Sequence, residues 1–319
     1  MTKKNKDTKD TLQSKKIEGE RILHVDSHTL HLTHPDKVYF PEDKLTKGDV
    51  IDYYHVIYKY IGPYLNDRPE SLRRQPNGIS DEGFFQKDMD SAPPSWVKTR
   101  VIHSETEDRN LNYMICNDQA TLLYMINLGC IEINPWFSRI NHLDNPDYVV
   151  IDIDPSSENT FDQVIEAALA VKEVLDRAGI QGYCKTSGAT GLHVFVPLGA
   201  RYNYDHAKDF SHIIAVMAHE LAPNFTTVER SLGKRGNKIY MDYLQNRRGQ
   251  TLASAYSLRP RSGAPVSTPL AWNELKKGLH PSQFTIHTLP RRLEKIGDIF
   301  HPVLEKGIDI QKALKKLGA

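Results

Sequence analysis

The alternation of apolar and polar residues divides the chain into predicted helices and strands. Apolar residues at helical spacing predict helices over about 47–61, 122–128, 160–178 and 205–221. Thr46 is the predicted N-cap of the first helix, and Gly129 and Gly179 are predicted C-terminal stops of the second and third. Shorter apolar runs predict strands at about 22–33, 84–90, 97–103, 148–154, 182–186, 192–197, 238–244 and 253–258. A further helix is predicted to begin near Pro269 with Thr268 as its cap. Mixed helices and hairpins favour an α+β fold over a doubly wound sheet.

Composition restricts the class of protein only loosely. The net charge of the 319 residues is +1, but the segment MTKKNKDTKDTLQSKKIEGE is rich in lysine, and the chain after Arg259 is again basic. This asymmetry permits contact with phosphate, although solvated tails are commonly charged in the same way. The three cysteines lack CxxC spacing, and no apolar run reaches the roughly 18 residues of a membrane span. We expect a soluble protein of a reducing compartment, with residues 1 to about 20 disordered.

Two carboxylates interrupt an apolar predicted strand. In YVVIDIDP, alternation places Asp152 and Asp154 on one face of the strand, about 6.5–7 Å apart at Cα. Two partly buried carboxylates repel each other unless a cation neutralises them, which indicates a site for Mg²⁺ or Mn²⁺. A bare D-x-D is also compatible with an ordinary exposed strand end. Asp242, in KIYMDYLQN, is a third acid within an apolar strand, and pairing of the two strands would bring all three together.

A glycine-containing turn joins two of the predicted strands. KTSGATGLHV contains Ser187 and His193 as hydrogen-bonding side chains beside glycines that allow backbone amides to approach phosphate. A simple hairpin turn with a structural histidine is the alternative. The segment is not a P-loop, because no Lys-Ser/Thr follows its second glycine.

These motifs occur in the order of a known family. Four motifs follow one another in the C-terminal half: the D-I-D strand, T-S-G-x-x-G-L-H, M-D-Y-x-Q-N and Y-S-L-R-P. Three further segments precede them: DKVYFPEDKLTKGDVIDYY, RPESLRRQPNGI and FFQKD. From about Leu32 to Leu293 the chain resembles the polymerase domain of bacterial ATP-dependent DNA ligase D, a member of the archaeo-eukaryotic primase superfamily. The resemblance implies a primase-like core, in which an N-terminal α/β module packs on an RRM-like antiparallel sheet carrying the acids. It implies a basic tail over 1–20, one composite catalytic domain over 21–300, and a C-terminal helical extension over 301–319.

The resemblance also implies roles for individual residues. Asp152, Asp154 and Asp242 match the acids of a two-metal site for Mn²⁺ or Mg²⁺. Lys37 and Lys47 match a pair that binds the 5′-phosphate of a DNA gap. Positions that contact the incoming nucleotide in the family correspond to Phe84, Phe85, Lys87, Asn134, Ser187, Thr190, His193, Arg235, Gln245 and Arg259.

Four of these positions carry qualifications. Phe84 and Phe85 are suited to stack on a base, but neighbouring strand residues face opposite ways, so at least one can be a core residue. Thr190 stands where the family often has lysine, which removes a positive charge near the triphosphate. Asn134 stands where the family often has histidine; it can donate a hydrogen bond to a sugar hydroxyl but carries no charge.

The function that follows from the resemblance is template-dependent nucleotidyl transfer. The enzyme would extend primer 3′ ends with NTPs or dNTPs at short gaps bearing a 5′-phosphate, in end joining or gap repair. The expected partners are DNA, nucleotides, the Ku protein and a DNA ligase, with no membrane, in the nucleoid-containing cytoplasm. A two-metal nuclease or phosphatase also uses clustered acids, and a non-catalytic DNA-end bridging module can keep the same fold; both remain alternatives.

Overall fold

The computed structural model describes residues 15–17, 20–89 and 92–319. Its N-terminal half combines short strands with two helices that pack into one module. The elements in chain order are β1 (Lys15–Ile17), β2 (Glu20–Val25), β3 (His28–Thr33), β4 (Val38–Phe40), β5 (Leu45–Thr46), α1 (Lys47–Leu65), β6 (Glu70–Arg74), β7 (Phe84–Gln86), β8 (Thr99–Ser104), β9 (Arg109–Met114), α2 (Gln119–Asn127) and β10 (Cys130–Pro135). Antiparallel pairing joins β6 to both β10 and β7, and β8 to β9.

The C-terminal half contains the larger sheet and its covering helices. Its elements are β11 (Tyr148–Asp154), α3 (Phe161–Ala178), β12 (Tyr183–Thr186), β13 (Leu192–Pro197), α4 (Tyr204–Leu221), β14 (Thr226–Thr227), α5 (Leu232–Arg235), β15 (Ile239–Asp242), β16 (Pro269–Leu270), α6 (Leu289–Ile296) and α7 (Ile310–Leu317). Short 3₁₀ turns occupy Trp272–Glu274, Pro281–Gln283 and His301–Leu304. The strand order is β14-β15-β11-β13-β12-β16, and every neighbouring pair is antiparallel except β14 with β15.

The predicted helix boundaries rest on capping chemistry that the structure confirms. The Thr46 hydroxyl accepts from Asp49 N while the Asp49 carboxylate accepts from Thr46 N, a capping box of the kind that stabilises a helix start by about 1 kcal/mol. Thr160 caps α3 in the same way, and Gly179 ends it in the left-handed conformation with φ 67°. Helix α1 continues to Leu65, beyond the predicted end at residue 61.

The two faces of the large sheet have different neighbours. Val149, Ile151 and Ile153 belong to the core formed with α3, α4 and α7, while Tyr148 and Val150 belong to the core that contains α1 and β10. Alternation therefore directs Asp152 and Asp154 away from the helices and toward the N-terminal module. The arrangement confirms an α+β fold with an antiparallel sheet that carries the acids.

Two predicted elements were wrong. Ala253–Leu258 is not a strand: Tyr256 has a positive φ of 70°, and its ring is buried in the core, so burial rather than sheet pairing explains the apolar run. No helix begins at Pro269, because Pro269 and Leu270 pair with Lys185 and Cys184 at the edge of the sheet. An edge strand tolerates the missing N–H of proline, and the Thr-Pro dipeptide resembled a helix start only locally.

Smaller differences concern strand lengths. The run predicted as one strand at 22–33 is the hairpin β2–β3, and Asp26 and Ser27 form its turn with φ values of 48° and 65°. The strands predicted at 84–90 and 238–244 are shorter, as β7 and β15. Of the tail predicted to be disordered, 15–17 forms β1 paired with β2, and 1–14, 18 and 19 lie outside the described residues.

Candidate active site

Three carboxylates meet on adjacent strands at the face of the sheet that points toward the N-terminal module. Asp152 on β11 is the register partner of Asp242 on β15, and Asp154 pairs with Tyr240 two positions further along. The predicted convergence of the three acids therefore depends on a strand pairing that the structure contains. Asp152 is mostly buried, whereas the Asp154 side chain is 55% exposed at the strand end.

Each carboxylate has a protein partner. Asp152 Oδ1 lies 3.3 Å from His193 Nε2 on the neighbouring strand β13. Asp154 Oδ2 lies 3.7 Å from Arg235 Nη1, whose guanidinium also stacks on the Tyr240 ring. Asp242 Oδ1 accepts from Leu244 N at 2.7 Å, and its Oδ2 accepts from Gln245 Nε2 at 3.4 Å. The acids thus share one location and are oriented by a histidine, an arginine and an amide.

The electrostatics of the cluster show an excess of negative charge. Burial, reinforced by the Asp152 charge, raises the pKa of Asp154 to about 6. Burial also raises the pKa of Asp242, with Asp152 contributing in the same direction. Burial followed by repulsion from Lys185 lowers the pKa of His193 to about 4, so this imidazole is neutral near pH 7. A cation bound beside the acids would relieve the repulsion among them.

The chemistry of the donor set fits a divalent ion. Carboxylate oxygens are hard ligands of the kind that Mg²⁺ and Mn²⁺ prefer. Among the described residues, no group of three or more Asp, Glu, His or Cys side chains is arranged so that it could hold a metal ion without moving. Because Asp152 and Asp154 are turned toward His193 and Arg235, an ion would have to draw these carboxylates to itself.

The turn between β12 and β13 lies next to the acids. Ser187 Oγ accepts the backbone N–H groups of Ala189 and Gly191, each at 3.1 Å, so the hydroxyl hydrogen is the part it can offer to a ligand. Gly191 permits the close approach of this turn to β11, because a Cβ there would lie 2.3 Å from the carbonyl oxygen of Ile153. The turn is therefore a compact donor loop seated against the strand that carries Asp152.

An ion pair that sequence reasoning missed holds Arg259 over this turn. Arg259 Nε lies 2.6 Å from Glu132 Oε2, and Arg259 Nη1 donates to the carbonyl of Ser187. Glu132 is buried on β10, in the E-I-N-P segment that had drawn attention only to Asn134. The sequence signal that could have identified Glu132 is its charge within an otherwise apolar strand. The pair fixes the guanidinium between the two modules.

A cleft of about 310 Å³ joins these groups. It is smaller than a cleft of about 500 Å³ near Asp144 and Arg248, but Asp152 and Asp154 line it, whereas Asp242, Arg235 and Gln245 do not. Its lining includes Phe85, Glu132, Asn134, Asp152, Asp154, Ser187, Ala189, Thr190, His193, Arg259 and Arg261. Asn134 is buried there, with Nδ2 3.3 Å from the carbonyl of Ser71. Arg261, which sequence reasoning also missed, adds an exposed cation to the lining of the same cleft.

The two phenylalanines of β7 face opposite sides of its hairpin with β6. Phe85 lines the cleft and lies under the guanidinium of Arg73, 5.0 Å from its ring centroid. Phe84 pairs with Arg74 and packs against that guanidinium at 5.3 Å. Both rings are about half exposed, so neither is the core residue that the sequence had allowed. Lys87 follows β7 and does not line the cleft.

Lys37 and Lys47 form a second cationic cluster at the N-terminus of α1. Lys47 N donates to the carbonyl of Lys37, which fixes the two residues side by side. Lys47 Nζ donates to the carbonyl of Thr33 at 2.7 Å, and Lys37 Nζ lies 2.5 Å from Asn77 Oδ1. Burial, with repulsion from Lys37, lowers the pKa of Lys47 to about 8. Neither lysine lines the cleft.

The fold and the site define a class before any comparison. An antiparallel sheet with paired acids, beside a donor loop and arginines, is a nucleotidyl-transfer arrangement of the primase-polymerase kind. The model of the LigD primase-polymerase domain family matches residues 46–300 of this chain. The chain belongs to this family, and it is a DNA-directed nucleotidyltransferase by class.

Individual relatives and a solved structure agree with the family. Over 84% of this chain, identity is 34% to the bifunctional non-homologous end joining protein LigD of Bacillus subtilis and 30% to the multifunctional LigD of Pseudomonas aeruginosa. The chain spans 43% and 32% of the lengths of those relatives. The polymerase domain of Mycobacterium tuberculosis ligase D, solved in complex with DNA, superposes with a TM-score of 0.80. That match covers 88% of this chain and 99% of the other at 24% identity, and it shows a common fold. Within the described residues no helix is long and apolar enough to cross a membrane.

Proposed function

We propose that this protein extends a primer 3′ end at short DNA gaps, with Asp152, Asp154 and Asp242 as its metal-binding acids. The observation that carries the proposal is the register pairing of Asp152 with Asp242, because Asp152 also lines the cleft that contains the Ser187 turn and Arg259. A nucleotidyl transferase needs both parts, acids for the ions and donors for the triphosphate. A nuclease or phosphatase would account for the acids alone.

The acids would hold Mn²⁺ or Mg²⁺, which supplies Lewis-acid chemistry by lowering the pKa of the primer hydroxyl and neutralising triphosphate charge. The chain's own side chains do the positioning. Ser187 and the neutral His193 offer hydrogen-bond donors to phosphate oxygens, and Arg259 adds a charge-assisted donor that Glu132 keeps in place. Arg235 and Gln245 lie against Asp154 and Asp242 and hold those carboxylates when no ion is bound.

The sugar and base of the nucleotide would lie toward the N-terminal module. Phe85 presents a half-exposed ring to the cleft, and stacking on a base contributes about 1–3 kcal/mol. Asn134 would donate to a sugar hydroxyl through Nδ2, which lies 3.3 Å from the carbonyl oxygen of Ser71 and 3.4 Å from that of Glu132 and would exchange one of these contacts for the sugar. Thr190 leaves the turn without a cation, and Arg261 on the same cleft is placed to supply that charge.

DNA would be bound outside the cleft. Lys37 and Lys47 together form the proposed 5′-phosphate site, since two ammonium groups at a helix N-terminus favour an anion. Phe84, on the other face of its hairpin, and Lys87 would contact the nucleic acid near the nucleotide. We further propose one composite catalytic domain over 21–300 with a helical extension over 301–319. Its role in end joining or gap repair, with Ku and a DNA ligase in the cytoplasm, belongs to the same proposal.

Incubation with a labelled primer on gapped DNA, with Mn²⁺ and each type of nucleotide, separates this proposal from its rivals. Polymerisation predicts a primer lengthened by the size of the gap. A shortened primer would identify a nuclease. An unchanged primer accompanied by tight binding to DNA ends would identify a bridging module.

A further inference from the structure

A row of four polar side chains crosses the large sheet perpendicular to its strands. Asp242, Asp152, His193 and Lys185 are successive register partners on β15, β11, β13 and β12. All four therefore lie on the same face of the sheet, away from α3 and α4. Asp242, Asp152 and His193 belong to the proposed catalytic centre, whereas Lys185 has no role in the proposed function.

Lys185 is completely buried and has three hydrogen-bond partners. Its Nζ lies 3.0 Å from the carbonyl oxygen of Ala253, 2.5 Å from Ser267 Oγ and 2.9 Å from His193 Nδ1. Lysine is rarely found at full burial, because removing its charge from water is costly. The three partners match the three hydrogens of an ammonium group. A hydrogen-bond partner for each ammonium hydrogen indicates that buried Lys185 has a defined structural or functional role.

The identity of the other two partners determines the direction of the bond to His193. A carbonyl oxygen can only accept, and Ser267 Oγ donates its own hydrogen to the carbonyl of Thr186 at 2.8 Å, so that its oxygen accepts from Lys185. In the ammonium form, the third hydrogen is directed at His193 Nδ1, which is then the unprotonated ring nitrogen. Burial lowers the pKa of Lys185 to about 7, but a neutral amine that accepted from Nδ1 would leave an unprotonated Nε2 facing the Asp152 carboxylate, so the contact with Asp152 favours the ammonium form. In a neutral imidazole the hydrogen is then on Nε2, the nitrogen that lies 3.3 Å from Asp152 Oδ1 and borders the cleft.

We propose that Lys185 is a positioning residue, which fixes His193 in the Nε2–H tautomer and so presents a permanent hydrogen-bond donor to the cleft. This inference rests on the proposed function for its consequence, since the donor would meet Asp152 in the free enzyme and a nucleotide phosphate in the complex. Without Lys185, a neutral His193 can protonate Nδ1 instead, and an unprotonated Nε2 would repel both groups. Lys185 itself touches neither substrate nor acids.

The tautomer can be measured without any activity. Long-range ¹H–¹⁵N spectra of protein labelled at histidine nitrogen distinguish an unprotonated Nδ1 from an unprotonated Nε2. The chain contains 14 histidines, so the His193 signals are assigned by their loss in His193→Gln. We expect an Nε2–H pattern in the wild type and a mixture of tautomers in Lys185→Met. A protonated Nδ1 in the wild type, or an unchanged pattern in Lys185→Met, overturns the inference.

A double-mutant cycle tests the consequence for substrate. Glutamine at position 193 carries a fixed amide donor, so it needs no tautomer control. Lys185→Met should raise KM for the nucleotide about tenfold in the wild-type background, and less than about twofold in the His193→Gln background. Equal losses in both backgrounds would mean that Lys185 serves only to support the fold. Lys172→Met, on the surface of α3, is the matched control.

The two measurements separate the inference from the function on which it rests. A wild-type protein with the Nε2–H tautomer and no polymerase activity would refute the proposed function and leave the role of Lys185 intact. An active polymerase in which His193 carries its hydrogen on Nδ1 would support the proposed function and refute the role of Lys185. If Lys185→Met fails to fold, the spectrum of the wild type still decides the inference.

Discussion

Asp152 and Asp242 are direct register partners on antiparallel strands, although α3, the β12–β13 hairpin, α4, β14 and α5 separate them along the chain. Cross-strand partners on one face have Cβ atoms about 4.5–5.5 Å apart, so the two carboxyl groups are held close by the backbone itself. Repulsion between them is reflected in the raised pKa of Asp242, for which burial is the larger cause. The fold thus keeps two acids in an unfavourable arrangement of charge that a bound divalent cation would offset.

Binding of a divalent ion should depend on both members of this pair. We expect Asp152→Asn and Asp242→Asn each to weaken Mn²⁺ binding by about tenfold or more in calorimetric titration, because each removes one negative ligand. Asp144→Asn is the matched control, since Asp144 is an exposed acid paired with Arg248 away from the acids. Equal Mn²⁺ affinity in all three variants and the wild type would exclude this site.

The acids and the Ser187 turn could be predicted from the sequence because each motif is local. Asp152 and Asp154 occupy one apolar strand, and the turn lies between two strands that are neighbours along the chain. The pairing of β11 with β15 could not be predicted from the pattern of apolar and polar residues, since the pairing of strands that are distant in sequence depends on the whole fold. The resemblance to a family supplied that missing information. Glu132 and Lys185 escaped notice because a charged residue inside an apolar strand shows its partner only in three dimensions.

Two segments, Thr268-Pro269 at the sheet edge and Ala253–Leu258, show that local sequence preference alone does not determine secondary structure. Thr268-Pro269 has the composition of a helix start, and Ala253–Leu258 has the composition of a strand. The structure uses the first as an edge strand and the second as an irregular segment whose Tyr256 ring enters the core. In both places tertiary packing outweighs local preference. Helix α3, whose caps and apolar face agree, was predicted almost to the residue, and α1 was predicted with the correct start but ends four residues later than expected.

The ion pair between Glu132 and Arg259 should matter for nucleotide affinity. Glu132→Gln leaves a hydrogen-bond acceptor near Arg259 Nε but removes the charge, so the guanidinium is held less firmly over the Ser187 turn. We expect KM for the nucleotide to rise by about tenfold with a smaller change in kcat. Steady-state primer extension measures both constants.

Glu107→Gln is the control for this prediction, because it changes an exposed ion pair with Arg109 by the same chemistry. The account of Glu132 fails if both variants have the wild-type KM. It also fails if Glu132→Gln lowers only the free energy of unfolding.

The Lys37–Lys47 cluster should determine preference for a phosphorylated gap. Removal of both cations by Lys37→Ala with Lys47→Met should reduce the ratio of extension on 5′-phosphorylated to unphosphorylated gaps to about one. Simple primer extension should remain largely intact, since neither side chain lines the cleft. Methionine replaces Lys47 because this residue is only 4% exposed and alanine would leave a cavity.

Lys59→Ala, an exposed lysine elsewhere on α1, provides the comparison for this experiment. A uniform loss on both substrates would indicate general DNA contact by Lys37 and Lys47. That result would refute a specific 5′-phosphate site.

A buried carboxyl in the N-terminal module should make stability depend on pH. Glu70 is 1% exposed, its two oxygens have no hydrogen-bond partner in the described structure, and burial raises its pKa well above 4.5. Well below pH 4.5 the group is protonated in both the folded and unfolded chains, so it does not make stability depend on pH there. Above that value the unfolded chain ionises first, so this group makes the free energy of unfolding fall as pH rises toward the folded pKa.

Glu70→Gln removes this ionisation. We expect the free energy of unfolding of the variant, relative to the wild type, to increase steadily from about pH 5 to pH 8 in urea titrations. Glu166→Gln, on the exposed face of α3, should leave the pH dependence unchanged. Parallel pH profiles for wild type and Glu70→Gln would show that Glu70 is not held neutral in the fold.

The central claim is that the paired acids form a polymerase site, and the double substitution Asp152→Ala with Asp154→Ala tests it most directly. The measurement is single-turnover extension of a labelled primer on a gapped, 5′-phosphorylated duplex with Mn²⁺ and nucleotides, beside Asp144→Ala as the control. Wild type and control should lengthen the primer to fill the gap. The double variant should bind the same DNA and extend it at least about 10³-fold more slowly. Extension that survives the double substitution would contradict the account, as would a wild-type protein that only shortens the primer.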